Sequence, residues 1–343
     1  MIKKYVVSKD DSVYEAWPDV ELTKSGKMVC VFSECTAHTD RTDARLAICE
    51  SIDRGRTWSE KSYLTPKMKK DDFYNCARIS VIEDKLVVIA DRIHGWETDG
   101  DATQYVWVSD DEGKTWSEPT VLPFCGICPD KVRKLKCGRI IVAAQYENKE
   151  TKKLEQYLWY SDNNGKTWSD RVTVAADEKY NLCEACIYEC EDETLVAFIR
   201  EQSGLGICGF KAISTDHGES WSELLELPIP GSCHRPTAGK LDNGRVMVTF
   251  RNFNGFGKAM CNTDIALFKE GDNAVKAVER SAQECRIIPL DYDRNVWPDC
   301  GYTGWVQFDD GEIYVVNYIK DDADKAQIRG YSFYLGDIIL DNK

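Results

Sequence analysis

Ser51-Ile52-Asp53-Arg54-Gly55-Arg56-Thr57-Trp58 decides the fold of this chain, because the same pattern returns three times. It recurs as Ser109-Asp110-Asp111-Glu112-Gly113-Lys114-Thr115-Trp116, as Ser161-Asp162-Asn163-Asn164-Gly165-Lys166-Thr167-Trp168 and as Ser214-Thr215-Asp216-His217-Gly218-Glu219-Ser220-Trp221. The copies start at 51, 109, 161 and 214, so the intervals are 58, 52 and 53 residues. A period of this size marks a repeat architecture. Within each copy the chemistry is that of a turn. Asp or Asn followed two residues later by Gly lets the Asx side chain accept backbone N–H groups while Gly takes positive φ. The Trp packs into the unit. This is a folding staple and not a catalytic motif.

A second pattern lies upstream of each box and extends the repeat to six units. Six turns, Lys24-Ser25-Gly26, Glu83-Asp84, Lys136-Cys137-Gly138, Glu191-Asp192-Glu193, Asp242-Asn243-Gly244 and Asp309-Asp310-Gly311, each open a short apolar run. The runs are KMVCVFSE, KLVVIADR, RIIVAAQY, TLVAFIRE, RVMVTFRN and EIYVVNYI. Short, β-branched runs bounded by turns read as buried strands. The expectation is all-β: a six-bladed β-propeller of four-stranded antiparallel blades, one domain over 1–343. The even period argues against a pair of sandwiches. Ile2–Val7 is expected to supply the outer strand of the last blade and close the ring, because open edges are liabilities.

Aligned inner strands then point to a site. The segments are Ala16-Trp17-Pro18-Asp19, Asn75-Cys76-Ala77-Arg78, Ile127-Cys128-Pro129-Asp130, Leu182-Cys183-Glu184-Ala185, Ser232-Cys233-His234-Arg235 and Val296-Trp297-Pro298-Asp299. At the mouth of a funnel they bring together Asp19, Arg78, Asp130, Glu184, His234, Arg235 and Asp299. The ends of the second strands add Glu34, Arg92, Gln145, Arg200, Arg251 and Asn317. Convergent polar groups in a concavity mark a binding or catalytic site.

Composition excludes several classes. The 343 residues carry a net charge of −14 with no basic cluster, which argues against nucleic acid as a partner. No run of 18 apolar residues suggests a transmembrane helix. The N-terminal residues lack the apolar core of a signal peptide, and fifteen cysteines suit reduced thiols. A cytoplasmic location is therefore expected. The pairs Cys125/Cys128 and Cys183/Cys186 have zinc-ligand spacing. A plainer reading is that Cys76, Cys128, Cys183 and Cys233 share one repeat phase, where a crowded inner strand takes a small apolar residue. Neither a metal nor a cofactor is expected. Oligomeric state is left open.

The boxes Ser-x-Asp-x-Gly-x-Thr-Trp resemble the Asp boxes of the sialidase superfamily, and the resemblance spans nearly the whole chain. It implies a glycan substrate and a site with three arginines on the sugar carboxylate, an Asp acid/base on a first-blade loop, and a Tyr nucleophile assisted by a Glu. On this resemblance Asp40 is the acid/base, with Asp43 second. Glu184 is the assisting carboxylate and Arg200 the second arginine, while Arg235 and Arg251 compete for the third. The first-blade arginine is absent, its segment reading Glu15-Ala16-Trp17-Pro18. The Tyr segment matches Val296-Trp297-Pro298-Asp299, with Trp in place of Tyr and Tyr302 nearby.

A glycosidase needs one acid for the leaving oxygen and a second group on the opposite face. Asp40, Glu184, Asp299 and Asp19 offer that choice, Arg78, Arg200, Arg235 and Arg251 offer carboxylate recognition, and Trp17 and Trp297 offer faces for a sugar. His234 is a candidate base or acid. The expected activity is exo-hydrolysis of a terminal acidic sugar, most simply sialic acid. A hydrolase or lyase for rhamnose, arabinose or a uronic acid, and a non-catalytic sugar-binding propeller, are the alternatives.

Overall fold

The computed structural model describes residues 1–95, 102–253 and 261–339. Six four-stranded antiparallel sheets follow one another along the chain. Blade one is β2 (Tyr14–Leu22), β3 (Met28–Cys35), β4 (Arg45–Ser51) and β5 (Ser62–Tyr63). Blade two is β6 (Asp72–Ile82), β7 (Lys85–His94), β8 (Thr103–Ser109) and β9 (Thr120–Cys125). Blade three is β10 (Arg133–Lys134), β11 (Ile140–Glu147), β12 (Leu154–Ser161) and β13 (Val172–Ala175). Blade four is β14 (Leu182–Glu189), β15 (Leu195–Glu201), β16 (Phe210–Ser214) and β17 (Leu225–Glu226). Blade five is β18 (His234–Lys240), β19 (Val246–Asn252), β20 (Asn262–Phe268) and β21 (Cys285–Tyr292). Blade six is β22 (Cys300–Gln307), β23 (Ile313–Ile319), β24 (Gln327–Phe333) and, from the N-terminus, β1 (Lys3–Ser8). β1 pairs with β24 from Lys3↔Ser332 onward, so the first strand closes the last blade as expected.

The continuous apolar runs have a physical reason. Each blade packs on a neighbour through both faces, so alternation is lost and every residue of β3, β15 and β19 is buried. A hydrophobic cluster fills each interface, from Val29, Val31, Ile79 and Val88 between blades one and two to Phe32, Tyr314, Val316 and Tyr318 between blades six and one. All six hairpin turns contain a residue of positive φ; in blades two and four Glu83–Asp84 and Glu193 take it without glycine.

The four boxes share one hydrogen-bond scheme. In the first, Asp53 Oδ1 accepts from Thr57 N at 2.9 Å and Ser51 Oγ at 2.8 Å, and Ser51 Oγ accepts from Gly55 N at 2.8 Å. The register Glu34↔Arg45 and Met28↔Ser51 shows that β4 begins where β3 ends and runs back to the turn between β2 and β3. The boxes therefore sit on the face of the ring opposite the ends of the second strands.

The inner strands carry a feature that periodicity does not reveal. In five blades a two-residue bulge interrupts the pairing of the first and second strands: Trp17-Pro18, Cys76-Ala77, Glu184-Ala185, Arg235-Pro236 and Tyr302-Thr303. Its first residue has positive φ in every case, and Cys128 of blade three does likewise. The true phase is thus Trp17, Cys76, Cys128, Glu184, Arg235 and Tyr302. This corrects the alignment in blades four, five and six. Glu184, and not Cys183, matches Cys76, and Tyr302, and not Trp297, matches Trp17.

Candidate active site

The bulges turn side chains toward the axis at the end of the ring where the second strands finish. A pocket of about 680 Å³ opens there. Arg200 at the end of β15 and Arg251 at the end of β19 reach it, as do His234, Phe253, Trp297 and Asp299. Its far wall is Tyr14, the loop Ala37-His38-Thr39, Lys320, Asp324 and Lys325. Four basic lining side chains face two acidic ones, so the pocket favours an anion despite the acidic whole.

Across the pocket from that wall, Arg200 and Arg251 front a buried group of four residues. Tyr302 Oη donates to Glu184 Oε1, and Arg200 Nη1 donates to Glu184 Oε2 at 2.8 Å and to Tyr302 Oη at 3.1 Å. The Arg251 guanidinium sits 4.9 Å from the Tyr302 ring centre. Burial pushes the Glu184 carboxyl up, but Arg200, Arg235 and the Tyr302 hydroxyl outweigh it and hold the group below its usual range. Burial and the Glu184 charge raise the Tyr302 phenol well above its ordinary value, opposed by Arg200 and Arg251. The resting pair is a carboxylate and a neutral phenol.

His234 is neutral. Burial, then Arg200 and Arg251, push its pKa far down. Arg251 Nε donates to His234 Nδ1 at 3.2 Å, so the ring proton is on Nε2. A base needs that lone pair and an acid needs the second proton, so the candidate acid/base role of His234 is replaced by that of a neutral acceptor for Arg251.

Asp299 gathers the opposite wall. Its Oδ1 accepts from Tyr318 Oη at 2.8 Å, and its Oδ2 from Tyr14 Oη and from His38 Nδ1 at 2.6 Å. Burial raises this carboxyl, but His38, Arg251 and Tyr14 more than offset it, leaving it below the ordinary value.

The remaining expectations divide. Asp19, Arg78 and Asp130 lie two residues past the bulges and tie blades together inside the ring. Asp19 Oδ2 accepts from Ile79 N at 2.9 Å, Asp130 Oδ2 from Ile187 N at 2.9 Å, and Arg78 donates to Thr303 O and Thr237 Oγ1 at 3.1 and 2.9 Å. Arg235 donates to Cys128 O and Pro129 O at 2.8 and 2.6 Å, which leaves Arg251 as the blade-five arginine that lines the pocket. Glu34 pairs with Arg45 and Lys61, and Arg92 with Asp72, away from it. Trp17 is buried between His38, ring centres 5.3 Å apart, and the Arg41 guanidinium at 3.7 Å; its indole is not a sugar platform. Asp40 does not line the pocket: its Oδ1 accepts from Thr42 N and Oγ1 at 3.1 and 2.7 Å, which holds the carboxyl low. Asn317 accepts from Gly301 N within blade six. Tyr14, His38, Tyr318, Lys320 and Lys325 were not anticipated. Tyr318 follows Asn317 by one residue, and His38 precedes Asp40 by two, so alternation along β23 and the tight turn in the loop were the available signals.

Cys186 Sγ meets Arg133 and Ala238 N, while Cys183 Sγ faces Gln202, so this C-x-x-C pair diverges around the bulge. Among the described residues no cluster of three His, Cys, Asp or Glu could hold a metal, and no helix is long and apolar enough to cross a membrane.

Six four-stranded blades, four of them carrying an Asp box, ring a pocket lined by Arg200 and Arg251, with Tyr302 and Glu184 buried behind Arg200; the fold is that of a sialidase-like BNR propeller. The chain belongs to the family described as BNR repeat-like domain, whose model matches residues 80–255. Solved structures share the fold. A protein of unknown function from Dyadobacter fermentans is 21% identical, with a TM-score of 0.79 over 96% of this chain and 98% of its own. The Hadza microbial sialidase Hz136 is 18% identical, with a TM-score of 0.72 over 98% and 69%. Trypanosoma rangeli sialidase in complex with the inhibitor DANA is 16% identical, with a TM-score of 0.73 over 97% of this chain and 59% of that one. At these identities the likeness is one of fold. No curated protein matches the chain.

Proposed function

We propose that this protein is a retaining exo-glycosidase for a terminal acidic sugar, with sialic acid the leading candidate. The observation that carries the reading is the Tyr302–Glu184–Arg200 group beneath a pocket rich in basic side chains. Tyr302 Oη attacks the anomeric carbon as Glu184 takes its proton. Arg200 and Arg251 stabilise the charge that develops on the phenol oxygen and pair with the substrate carboxylate. The neutral His234 offers Nε2–H as a donor, and the exposed Trp297 a face for the sugar ring. Water then releases the sugar with its configuration kept.

Trp17 favours a second reading. It opens the blade-one bulge in a segment, Glu15-Ala16-Trp17-Pro18, that holds no arginine where the resemblance calls for one, and a two-arginine clamp suits a smaller acidic sugar such as a uronic acid. The lyase alternative loses its base, since Arg251 occupies the His234 lone pair. The test is a panel of aryl sialosides, uronides and neutral glycosides with wild type, Tyr302→Phe and Glu184→Gln. The reading expects turnover of an acidic member only, abolished in both variants. Turnover of neutral glycosides alone, or full activity in Tyr302→Phe, overturns it.

A further inference from the structure

The Tyr–Glu pair supplies attack but no proton for the leaving oxygen, and Asp40 is turned away from the pocket. We propose that His38, oriented by Asp299, protonates the departing glycosidic oxygen and later deprotonates the incoming water. This rests on the glycosidase reading above.

The geometry of one loop carries the proposal. Ala37 N donates to Asp40 O at 3.0 Å and Asp40 N to Ala37 O at 3.1 Å, which closes a tight turn. Its tip is His38-Thr39, and both line the pocket. The His38 side chain is 45% exposed, whereas its partner Asp299 is 19% exposed. Asp299 accepts from His38 Nδ1 at 2.6 Å and from Tyr14 Oη. With Tyr14 donating to the same oxygen, the carboxylate has two donors on Oδ2 and Tyr318 on Oδ1. The His38 proton toward Asp299 is therefore on Nδ1, and Nε2 is the nitrogen free to exchange a proton. The Trp17 ring packs edge-on against the imidazole and restricts its rotation. A carboxylate on one ring nitrogen with the other free is the arrangement in which histidine works as acid and base.

The protons balance over the two steps. In the first, the imidazolium Nε2–H passes to the glycosidic oxygen as the bond from the anomeric carbon breaks. Tyr302 Oη forms the new bond to that carbon, and its proton moves to Glu184. In the second, neutral His38 takes a proton from water as the water oxygen replaces Tyr302, and Glu184 returns its proton to the phenol. Asp299 stays ionised throughout and is a positioning residue.

Leaving-group dependence tests this. His38→Ala and His38→Gln should lose about 100-fold or more in kcat/KM on acidic glycosides with unactivated alcohol leaving groups. On a nitrophenyl glycoside, whose leaving oxygen needs no proton, the loss in the bond-breaking step should be about 10-fold or less. Added azide should accelerate turnover of the variants on that substrate and yield a glycosyl azide. In ¹⁵N-labelled whole protein, the His38 Nδ1 proton should resonate far downfield in wild type and move upfield in Asp299→Asn. Full activity of either His38 variant on unactivated substrates, with thermal unfolding unchanged, overturns the assignment while leaving the glycosidase reading intact. A uniform loss on all leaving groups, or an Nε2–H tautomer in wild type, also overturns it. A wild type inert on every glycoside overturns both.

Discussion

Tyr302 and Glu184 lie 118 residues apart in sequence, yet the phenol of one donates directly to the carboxylate of the other. Both occupy the first position of an inner-strand bulge, with φ of 53° and 48°. Non-glycine residues in that region are uncommon and cluster where function repays the strain. The pair predicts that Glu184→Gln lowers kcat by about 10²- to 10⁴-fold, with Tyr302→Phe at least as damaging. Steady-state kinetics on the acidic substrate, with circular dichroism to verify the fold, measures this.

His234 predicts a loss of stability in acid. Its folded pKa lies far below the usual value, so below about pH 6.5 the unfolded chain takes up a proton that the folded protein refuses. Stability then falls with falling pH by up to about 1.4 kcal/mol per unit from this group. His234→Gln should flatten the slope between pH 7 and 5 in urea unfolding.

Asp91 predicts the opposite sign. Burial, opposed by Cys128 N and other donors, pushes this carboxyl up to about 7. Between its unfolded value and pH 7 the folded protein holds the extra proton, so this contribution to stability declines as pH rises through that window. Asp91→Asn keeps an acceptor for Cys128 N and leaves no carboxylate to be charged in the buried site. The variant should be more stable than wild type at pH 8 and should lose the slope from pH 5 to 7.

Two box glycines separate backbone strain from packing. Gly55 and Gly165 have φ of 78° and 77°. A Cβ on Gly55 would lie 2.2 Å from the Tyr314 ring, whereas on Gly165 it meets only Trp168 at 3.8 Å. Gly165→Ala should cost about 1–2 kcal/mol for the left-handed conformation alone. Gly55→Ala should cost a further ~1–3 kcal/mol for overpacking. Denaturant midpoints compare the two, and neither variant should alter catalysis, because the boxes lie on the opposite face.

The repeats made the ring legible, because the box is a local pattern that recurs in four blades and the hairpin turn with its buried strand recurs in all six. The axial chemistry was less so. A two-residue bulge shifts the phase by an amount no hydrophobic period records, which is why Trp297 stood in for Tyr302 and Cys183 for Glu184. Asp19, Arg78 and Asp130 share one phase and look like a site, but the strand carries them past the mouth to backbone partners in other blades. Arg200 and Arg251 were recoverable because both end a second strand. His38 was hidden because a tight turn, and not a periodic element, aims it at Asp299.

Covalent trapping tests the central claim most directly. The protein would be incubated with a fluorinated acidic glycosyl fluoride, which forms a glycosyl-enzyme quickly and releases it slowly, then digested for peptide mass spectrometry. The account predicts a single adduct on the Tyr302 peptide, absent in Tyr302→Phe, and a first-formed product of retained configuration by proton NMR. Turnover that inverts the anomeric centre, or an adduct on any other side chain, would contradict it.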